Sequence, residues 1–254
     1  MVMKVFFHGV PDSPAIWSPL LSELGLDPAT ISVPGLPGFQ APAPPGFGGT
    51  KDDYVGWAIK HIRELAATHG PVDIIGHDWG ALIGQRTALL APDAVRSWAI
   101  SNAVIDPDYR GHRVARIWNT PVLGEFFMAT TRASQIEASL SQSGVPAKIA
   151  AEEAVHWKKR HMRQAILGLY RSAKGLSFAH DWALDLDRAS RPGLLVWGEN
   201  DPFVDVSVAR RFSQNYNVPL QVISNAGHWA IAEKPDEVAG HLIRFWAGLD
   251  RNES

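Results

Sequence analysis

The stretch Gly76-His77-Asp78-Trp79-Gly80 decides the fold of this 254-residue chain. It follows a short apolar run, Val72 to Ile75, and it opens a helical pattern from Ala81 to Leu90. A nucleophile between two such glycines at a strand-to-helix turn forms a nucleophile elbow. The glycines let the backbone turn sharply around a strained central residue. The sequence therefore predicts that Asp78 stands at the end of a buried strand.

The central residue of such a turn is usually serine, and aspartate changes the chemistry. A serine hydroxyl attacks an acyl carbon, whereas a carboxylate attacks a saturated carbon and forms an ester of the enzyme's own acid. That ester must then be hydrolysed. Hydrolysis requires a histidine that activates water and an acid that orients the histidine.

Two downstream motifs predict these partners. Gly198-Glu199-Asn200-Asp201 follows a predicted strand, and Asn225-Ala226-Gly227-His228-Trp229 follows the last predicted strand. Both motifs are thus expected at the edge of the sheet that carries Asp78. The chain order of nucleophile, acid and histidine also suits this arrangement. We predict a catalytic triad of Asp78, Asp201 and His228, with Asp106 as the alternative acid.

A further motif, His8-Gly9-Val10-Pro11, follows the first predicted strand. Water that attacks the Asp78 ester creates an oxyanion, which backbone N–H groups can stabilise. We expect Val10 and Trp79 to supply these donors. His8 is expected to stabilise the turn and not to act as a base.

Alternating strand and helix patterns predict a mostly parallel, doubly wound sheet covered on both faces. The predicted strands are Val5–Phe7, Thr30–Val33, Val72–Ile75, Arg96–Ser101, Leu194–Trp197 and Leu220–Ile223. Core helices are predicted over Asp52–His69, Asp78–Leu90, Val206–Asn215 and Pro235–Leu249. The loop from Pro34 to Gly49 is rich in proline and glycine. It is either a plain connector or a substrate-lining loop, with Phe39 as its candidate contact.

The segment between the fourth and fifth predicted strands contains only helical patterns, which are Val122–Thr130, Ser134–Ser141, Ala147–His156 and Lys159–Lys174. We predict a helical cap over residues 105–190, inserted into a core formed by residues 1–104 and 191–254. Such a cap would cover the carboxyl ends of the strands, where sheets of this kind bind ligands.

Composition and charge exclude several functions. A net charge of −2 gives no electrostatic reason to bind nucleic acid or an anionic membrane, and the absence of cysteine excludes disulfides and thiolate metal sites. The run Met3 to Phe7 is too short for a signal peptide, so a cytoplasmic protein is expected. A metal site is not expected, because His156 and His161 do not share a helix face and no H-E-x-x-H motif occurs. No other cofactor is expected.

These motifs together resemble the aspartate-nucleophile branch of the α/β-hydrolase superfamily, which includes epoxide hydrolases and haloalkane dehalogenases. The resemblance spans nearly the whole chain. It implies an α/β-hydrolase fold, a small apolar substrate, water as co-substrate, and a monomer or homodimer. The family usually has two further strands before the His-Gly strand, so a sheet of six core strands with a different edge is expected here. A non-catalytic ligand-binding protein on the same scaffold is the alternative from another functional class.

The resemblance leaves the substrate open. The segment that ends in Tyr170-Arg171 resembles the cap segment of epoxide hydrolases that carries a ring-opening tyrosine, so Tyr170 is the candidate acid. The second tyrosine of that family has no clear counterpart, although Tyr109 lies early in the cap. Trp118 and Asn119 lie near its expected place and are candidate donors to a substrate or a halide. We expect an epoxide hydrolase, with a haloalkane dehalogenase as the alternative.

Many haloalkane dehalogenases carry a halide-binding asparagine where this chain has Val10, which argues against the dehalogenase. Others use two tryptophans, a pair that Trp79 and Trp118 would imitate.

Overall fold

The structure is a computed structural model that describes residues 2–176, 178, 182–183 and 185–253. Within these residues, parallel strands form one six-stranded sheet in the order β2-β1-β3-β4-β5-β6. The strands are β1 (Lys4–Phe7), β2 (Ile31–Ser32), β3 (Val72–His77), β4 (Val95–Ser101), β5 (Gly193–Gly198) and β6 (Leu220–Ile223). The six predicted strands and the α/β-hydrolase fold are thereby confirmed.

Successive side chains of each strand point to opposite faces of the sheet, because the backbone of a strand is pleated. One face carries Val5 and Phe7 of β1 into one cluster of buried side chains, while Phe6 joins the cluster on the other face. All six residues of β3 and of β5 are buried. Burial on both faces explains why these strands read as continuous apolar runs in the sequence.

Helices cover both faces of the sheet. They are α1 (Ser18–Leu24), α2 (Lys51–His69), α3 (Trp79–Leu90), α4 (Arg113–Asn119), α5 (Leu123–Thr130), α6 (Ala133–Gln142), α7 (Ala147–Trp157), α8 (Arg160–Ser172), α9 (Val206–Tyr216), α10 (Ala230–Glu233) and α11 (Pro235–Glu253). Helices α2 and α3 pack together on one face, and α1 packs against α11 on the other. In the described part of the chain, no helix has the length and hydropathy needed to span a bilayer.

Residues 105–190 are called the insertion here. Its described helices are α4 to α8, of which α4 was not predicted from the sequence. Only seven residues form α4, and the side chain of His112 caps it by accepting a hydrogen bond from Ala115 N. Helix α8 packs against α4, α5 and α7 and also touches α2 of the core.

Candidate active site

Asp78 lies in the turn between β3 and α3 with a strained backbone. Its φ is 50° and its ψ is −124°, in a region that non-glycine residues rarely occupy. The strand and helix pack so closely here that a Cβ on Gly80 would overlap the carbonyl oxygen of Phe7 in β1. A Cβ on Gly76 would likewise overlap Gly80 O. The two glycines are therefore required by the close packing that the elbow imposes.

The loop after β1 holds one oxygen of the Asp78 carboxylate. Val10 N donates to Asp78 Oδ1 at 2.9 Å, and the Trp79 backbone also hydrogen-bonds to this carboxyl group. His8 braces the loop, because its Nε2 accepts from Leu36 N at 3.0 Å and its Nδ1 lies 2.9 Å from Gly9 O. Burial lowers the pKa of His8 to about 4, so its ring is neutral and structural, as the sequence predicts.

The structure brings the three residues of the predicted triad together. His228 Nε2 lies 3.5 Å from Asp78 Oδ2, and His228 Nδ1 lies 2.8 Å from Asp201 Oδ2. The loops after β3, β5 and β6 supply these three residues at the carboxyl edge of the sheet. Asp78 Oδ2 thus faces the histidine while Oδ1 faces the donors of the loop after β1.

Asp201 is held by hydrogen-bond donors. Its Oδ1 accepts from the backbone N–H groups of Phe203 at 2.7 Å and Val204 at 3.0 Å. Its Oδ2 accepts from Asn102 Nδ2 at 2.8 Å as well as from His228. Asn102 was not recognised in the sequence, although it comes directly after β4 and therefore at the same edge of the sheet.

Asp106, the alternative acid, does not reach the histidine. Its carboxylate forms an ion pair with Arg211 and accepts from Asp108 N at 2.8 Å. The structure therefore places Asp201, and not Asp106, beside His228.

The charges of the triad shift one another's pKa values. Burial alone would lower the pKa of His228, but the carboxylates of Asp201 and Asp78 raise it to about 10. Burial would raise the pKa of Asp78, yet hydrogen bonding and charge from His228 bring the pKa below its usual value. The same balance lowers the pKa of Asp201. These shifts all favour an imidazolium between two carboxylates in the resting site.

Two cavities meet at Asp78. The larger has a volume of about 140 Å³ and is lined by Val10, Pro11, Asp78, His112, Val114, Trp118, Phe127, Ile136, Ser139, Leu140, Tyr170, Phe203, His228 and Trp229. The smaller has a volume of about 40 Å³ and is lined by Asp78, Trp79, Leu82, Ala103, Val104, Tyr109, His112, Ala115, Tyr170, Leu176, Phe178 and Val204. Most of these side chains are apolar, which suits a small apolar substrate.

The insertion contributes Tyr170 and Trp118 to the larger cavity. The Tyr170 ring meets the Trp79 ring at 5.2 Å and the Trp118 ring at 4.9 Å, both edge to face. Burial and the charge of Asp78 raise the pKa of the Tyr170 phenol well above its ordinary value. Trp118 Nε1 is buried without a hydrogen-bond partner among the described residues. Tyr170 and Trp118 thus both line the cavity that contains Asp78.

Three other sequence candidates are placed less favourably. Tyr109 lines the smaller cavity, but its hydroxyl donates to Phe203 O at 3.2 Å and accepts from His112 N at 3.1 Å. Asn119 lines neither cavity, because its amide donates to the backbone oxygens of Tyr170 and Ala173. Phe39 is fully buried in the core between the rings of His8 and Tyr54, and it also lines neither cavity. Asn119 and Phe39 are therefore structural residues.

A buried carboxyl pair next to the site was missed in the sequence. Asp12 accepts from Trp229 Nε1 at 3.0 Å, and Glu153 of α7 accepts from Ser13 N at 2.9 Å and Ser13 Oγ at 2.7 Å. Burial raises the pKa of both carboxyl groups. The sequence does not reveal Glu153, because a charge-rich helix gives no sign that one of its carboxylates is buried against the core.

Two curated proteins are similar along most of the chain. Epoxide hydrolase 3 of Xenopus tropicalis is 22% identical over 263 residues, covering 93% of this chain and 69% of that protein. The (E)-2-((N-methylformamido)methylene)succinate hydrolase of Acinetobacter baylyi is 26% identical over 246 residues, covering 95% of this chain and 89% of that protein.

Solved structures share the fold. A haloalkane dehalogenase loop variant from Bradyrhizobium elkanii superposes with a TM-score of 0.77 at 20% identity, covering 100% of this chain and 91% of that one. An epoxide hydrolase from Vigna radiata superposes with a TM-score of 0.75 at 17% identity, covering 97% and 91%. Identities this low establish the fold and leave the substrate open. Residues 5–241 match the Alpha/beta hydrolase family. This match, together with the six-stranded parallel sheet and the elbow at Asp78, means that the chain belongs to the alpha/beta hydrolase family.

Proposed function

We propose that this protein is an epoxide hydrolase with Asp78 as its nucleophile and the insertion as its cap. The observation that carries the proposal is the larger cavity, which is lined by Asp78, His228 and the buried Tyr170 among mostly apolar side chains. A carboxylate and a phenol in one apolar cavity supply the nucleophile and the acid that ring opening requires.

In the first step, Asp78 Oδ2 attacks an epoxide carbon and forms an ester bond. The carbon–oxygen bond of the ring breaks, its electron pair stays on the oxygen, and the Tyr170 proton moves to that oxygen. Val10 N holds Asp78 Oδ1 at 2.9 Å, so the carboxylate is oriented before the attack.

Formation of the ester then changes the pKa values of Tyr170 and His228. The charge of Asp78 raises the pKa of Tyr170 and also that of His228. The ester carries no charge, so both pKa values fall when it forms. The extra proton of the His228 imidazolium can then move to the Tyr170 tyrosinate, which restores the phenol and leaves a neutral imidazole beside the ester.

In the second step, His228 takes a proton from water, and the water oxygen bonds to the ester carbonyl carbon. The oxyanion forms on Asp78 Oδ1, where Val10 N and Trp79 N stabilise it. Its collapse breaks the bond between that carbon and Oδ2, which leaves as one hydroxyl oxygen of the product and receives the proton from His228, while the water oxygen stays in the Asp78 carboxyl group. The second proton of the water passes from the Asp78 carboxyl group back to His228, and a vicinal diol leaves.

The names of the relatives support this proposal. Three curated relatives that align along more than 90% of this chain are epoxide hydrolase 3 of Xenopus tropicalis and epoxide hydrolases 3 and 4 of Mus musculus. The insertion of this chain supplies the phenol that such chemistry requires.

Haloalkane dehalogenation is the second candidate, and Trp118 favours it. Trp118 lines the larger cavity, and its buried Nε1–H has no partner in the described residues, so this N–H would be the donor to a leaving halide. Asp78 and His228 would perform the same two steps, with a halide ion as the leaving group in place of the ring oxygen.

A paired assay separates the two functions. Styrene oxide and bromohexane are offered to the wild type and to Tyr170→Phe, and diol and bromide are measured separately. Removal of the phenol proton should slow ester formation from the epoxide by about 10²–10⁴-fold and leave bromide release nearly unchanged. Tyr216→Phe, which alters a tyrosine on α9 outside both cavities, is the control and should keep the wild-type rate. A wild type that releases bromide but forms no diol would replace the proposal by the second candidate.

A further inference from the structure

Three residues line both cavities, and they are Asp78, Tyr170 and His112. The junction of the two cavities is therefore where a substrate atom can lie next to the nucleophile and the phenol together. His112 is the third member of this junction, and the catalytic steps above give it no role. Its ring packs edge-on against Phe203 at 4.9 Å, beside the His228 loop.

The helix cap fixes the tautomer of His112. Its Nδ1 accepts a hydrogen bond from Ala115 N at 3.3 Å, at the beginning of α4. A backbone N–H can only donate, so Nδ1 must hold a lone pair and the ring proton must lie on Nε2. Burial, as the largest cause, lowers the pKa of His112 to about 4, so the ring stays neutral at neutral pH. No hydrogen bond from the described residues reaches Nε2.

The site needs a second donor of this kind. When the ring opens, negative charge develops on an oxygen in an apolar cavity, where one phenol must both donate its proton and hold the oxygen. Tyr109 cannot share this task, because its hydroxyl already donates to Phe203 O. A neutral imidazole N–H is a suitable partner, since it can polarise an oxygen without losing its proton.

We infer that His112 is a catalytic residue whose Nε2–H, together with the Tyr170 hydroxyl, holds the epoxide oxygen over Asp78. The inference rests on the epoxide hydrolase function proposed above. Asp78 Oδ2 forms the new bond to carbon, the ring carbon–oxygen bond breaks towards oxygen, and the proton comes from Tyr170. His112 keeps its proton throughout and donates a hydrogen bond to the oxygen as its charge develops.

The substitution His112→Asn tests the role with the helix cap retained. Asparagine is a good N-cap, so its side-chain oxygen can replace Nδ1 as the acceptor from Ala115 N, but its amide is too short to replace Nε2. Single-turnover ester formation with styrene oxide should fall by about 10²–10³-fold, as for the loss of one oxyanion donor. The substrate concentration for half saturation and the thermal midpoint should change little. His112→Gln, whose longer amide can both accept and donate, should recover part of the rate.

The outcomes separate this inference from the proposed function. A folded His112→Asn that forms the ester at the wild-type rate overturns the role of His112 and leaves the epoxide hydrolase intact. A wild type that forms no ester with the epoxide overturns the proposed function itself. If the asparagine variant does not fold, the proton–nitrogen NMR spectrum of the wild-type histidine rings decides. It should show His112 neutral and protonated on Nε2 at neutral pH, and a ring protonated on Nδ1 overturns the inference.

Discussion

The substitution Asp201→Asn should stop the second catalytic step and spare the first. The Asp201 carboxylate accepts four hydrogen bonds, from Phe203 N, Val204 N, Asn102 Nδ2 and His228 Nδ1, at 2.7–3.0 Å. An asparagine has one oxygen, so its NH₂ group must face one pair of these donors. The backbone N–H groups of Phe203 and Val204 can only donate, and a buried N–H left unpaired costs about 1–3 kcal/mol. The amide is therefore expected to turn its NH₂ group towards His228.

His228 can meet that donor only by accepting at Nδ1, which moves its remaining proton to Nε2. A ring protonated on Nε2 cannot take a proton from water, so hydrolysis of the ester should slow by about 10²–10⁴-fold, the range for a lost general base. The pKa of His228 should also fall from its raised value of about 10, because Asp201 is the main group that raises it.

Rapid-quench mass spectrometry with styrene oxide measures both steps in one experiment. We expect an ester of Asp78 that forms at close to the wild-type rate and then persists. Asp106→Asn is the matched control, since Asp106 pairs with Arg211 and does not contact the triad. A folded Asp201→Asn with normal turnover, or an Asp106→Asn that accumulates the ester, would refute this reasoning.

The buried Glu153 carboxyl group and the tightly packed Gly80 should each affect the stability of the fold. Glu153→Gln keeps an acceptor for Ser13, but it cannot ionise. Because burial raises the pKa of Glu153, the wild type loses stability as pH rises above the ordinary glutamate pKa of about 4.3, where the unfolded chain ionises first. The thermal midpoint of Glu153→Gln relative to wild type should therefore increase between about pH 5 and pH 8; a difference independent of pH would contradict the burial of an uncharged Glu153. Gly80→Ala should destabilise the fold by about 1–3 kcal/mol or prevent folding, because the new Cβ overlaps Phe7 O. Gly56→Ala in α2, where a Cβ meets nothing within 4 Å, should instead be neutral or stabilising by up to about 1 kcal/mol, and equal effects at both glycines would contradict the packing of the elbow.

The sequence was informative about the sheet and about the residues at its edge. Strand β5 reads as an apolar run because both of its faces are covered, and Asp201 and His228 lie in the loops that follow β5 and β6. A residue at the end of a parallel strand has its position fixed by the backbone, so its place can be predicted before any tertiary contact is known.

The insertion was much less predictable. Its helices take their positions from packing, so the sequence missed α4 and the role of His112 at its start. Asn119 and Phe39 were candidates because they lie close in the sequence to expected functional segments. In the structure, Asn119 donates to a backbone oxygen and Phe39 packs against the ring of His8. Glu153 shows the same limit, because only the tertiary contact with Ser13 distinguishes it from the exposed charges of α7.

Asp78 should be esterified during turnover, and trapping that ester is the most direct test of its role as nucleophile. His228→Gln lacks the base for the second step, so the intact mass of this variant should increase by the mass of one styrene oxide molecule, and peptide mapping should place the increase on Asp78. The double variant Asp78→Asn, His228→Gln should show no increase. An unmodified His228→Gln that still turns over the epoxide, or an adduct on another residue, would contradict the account.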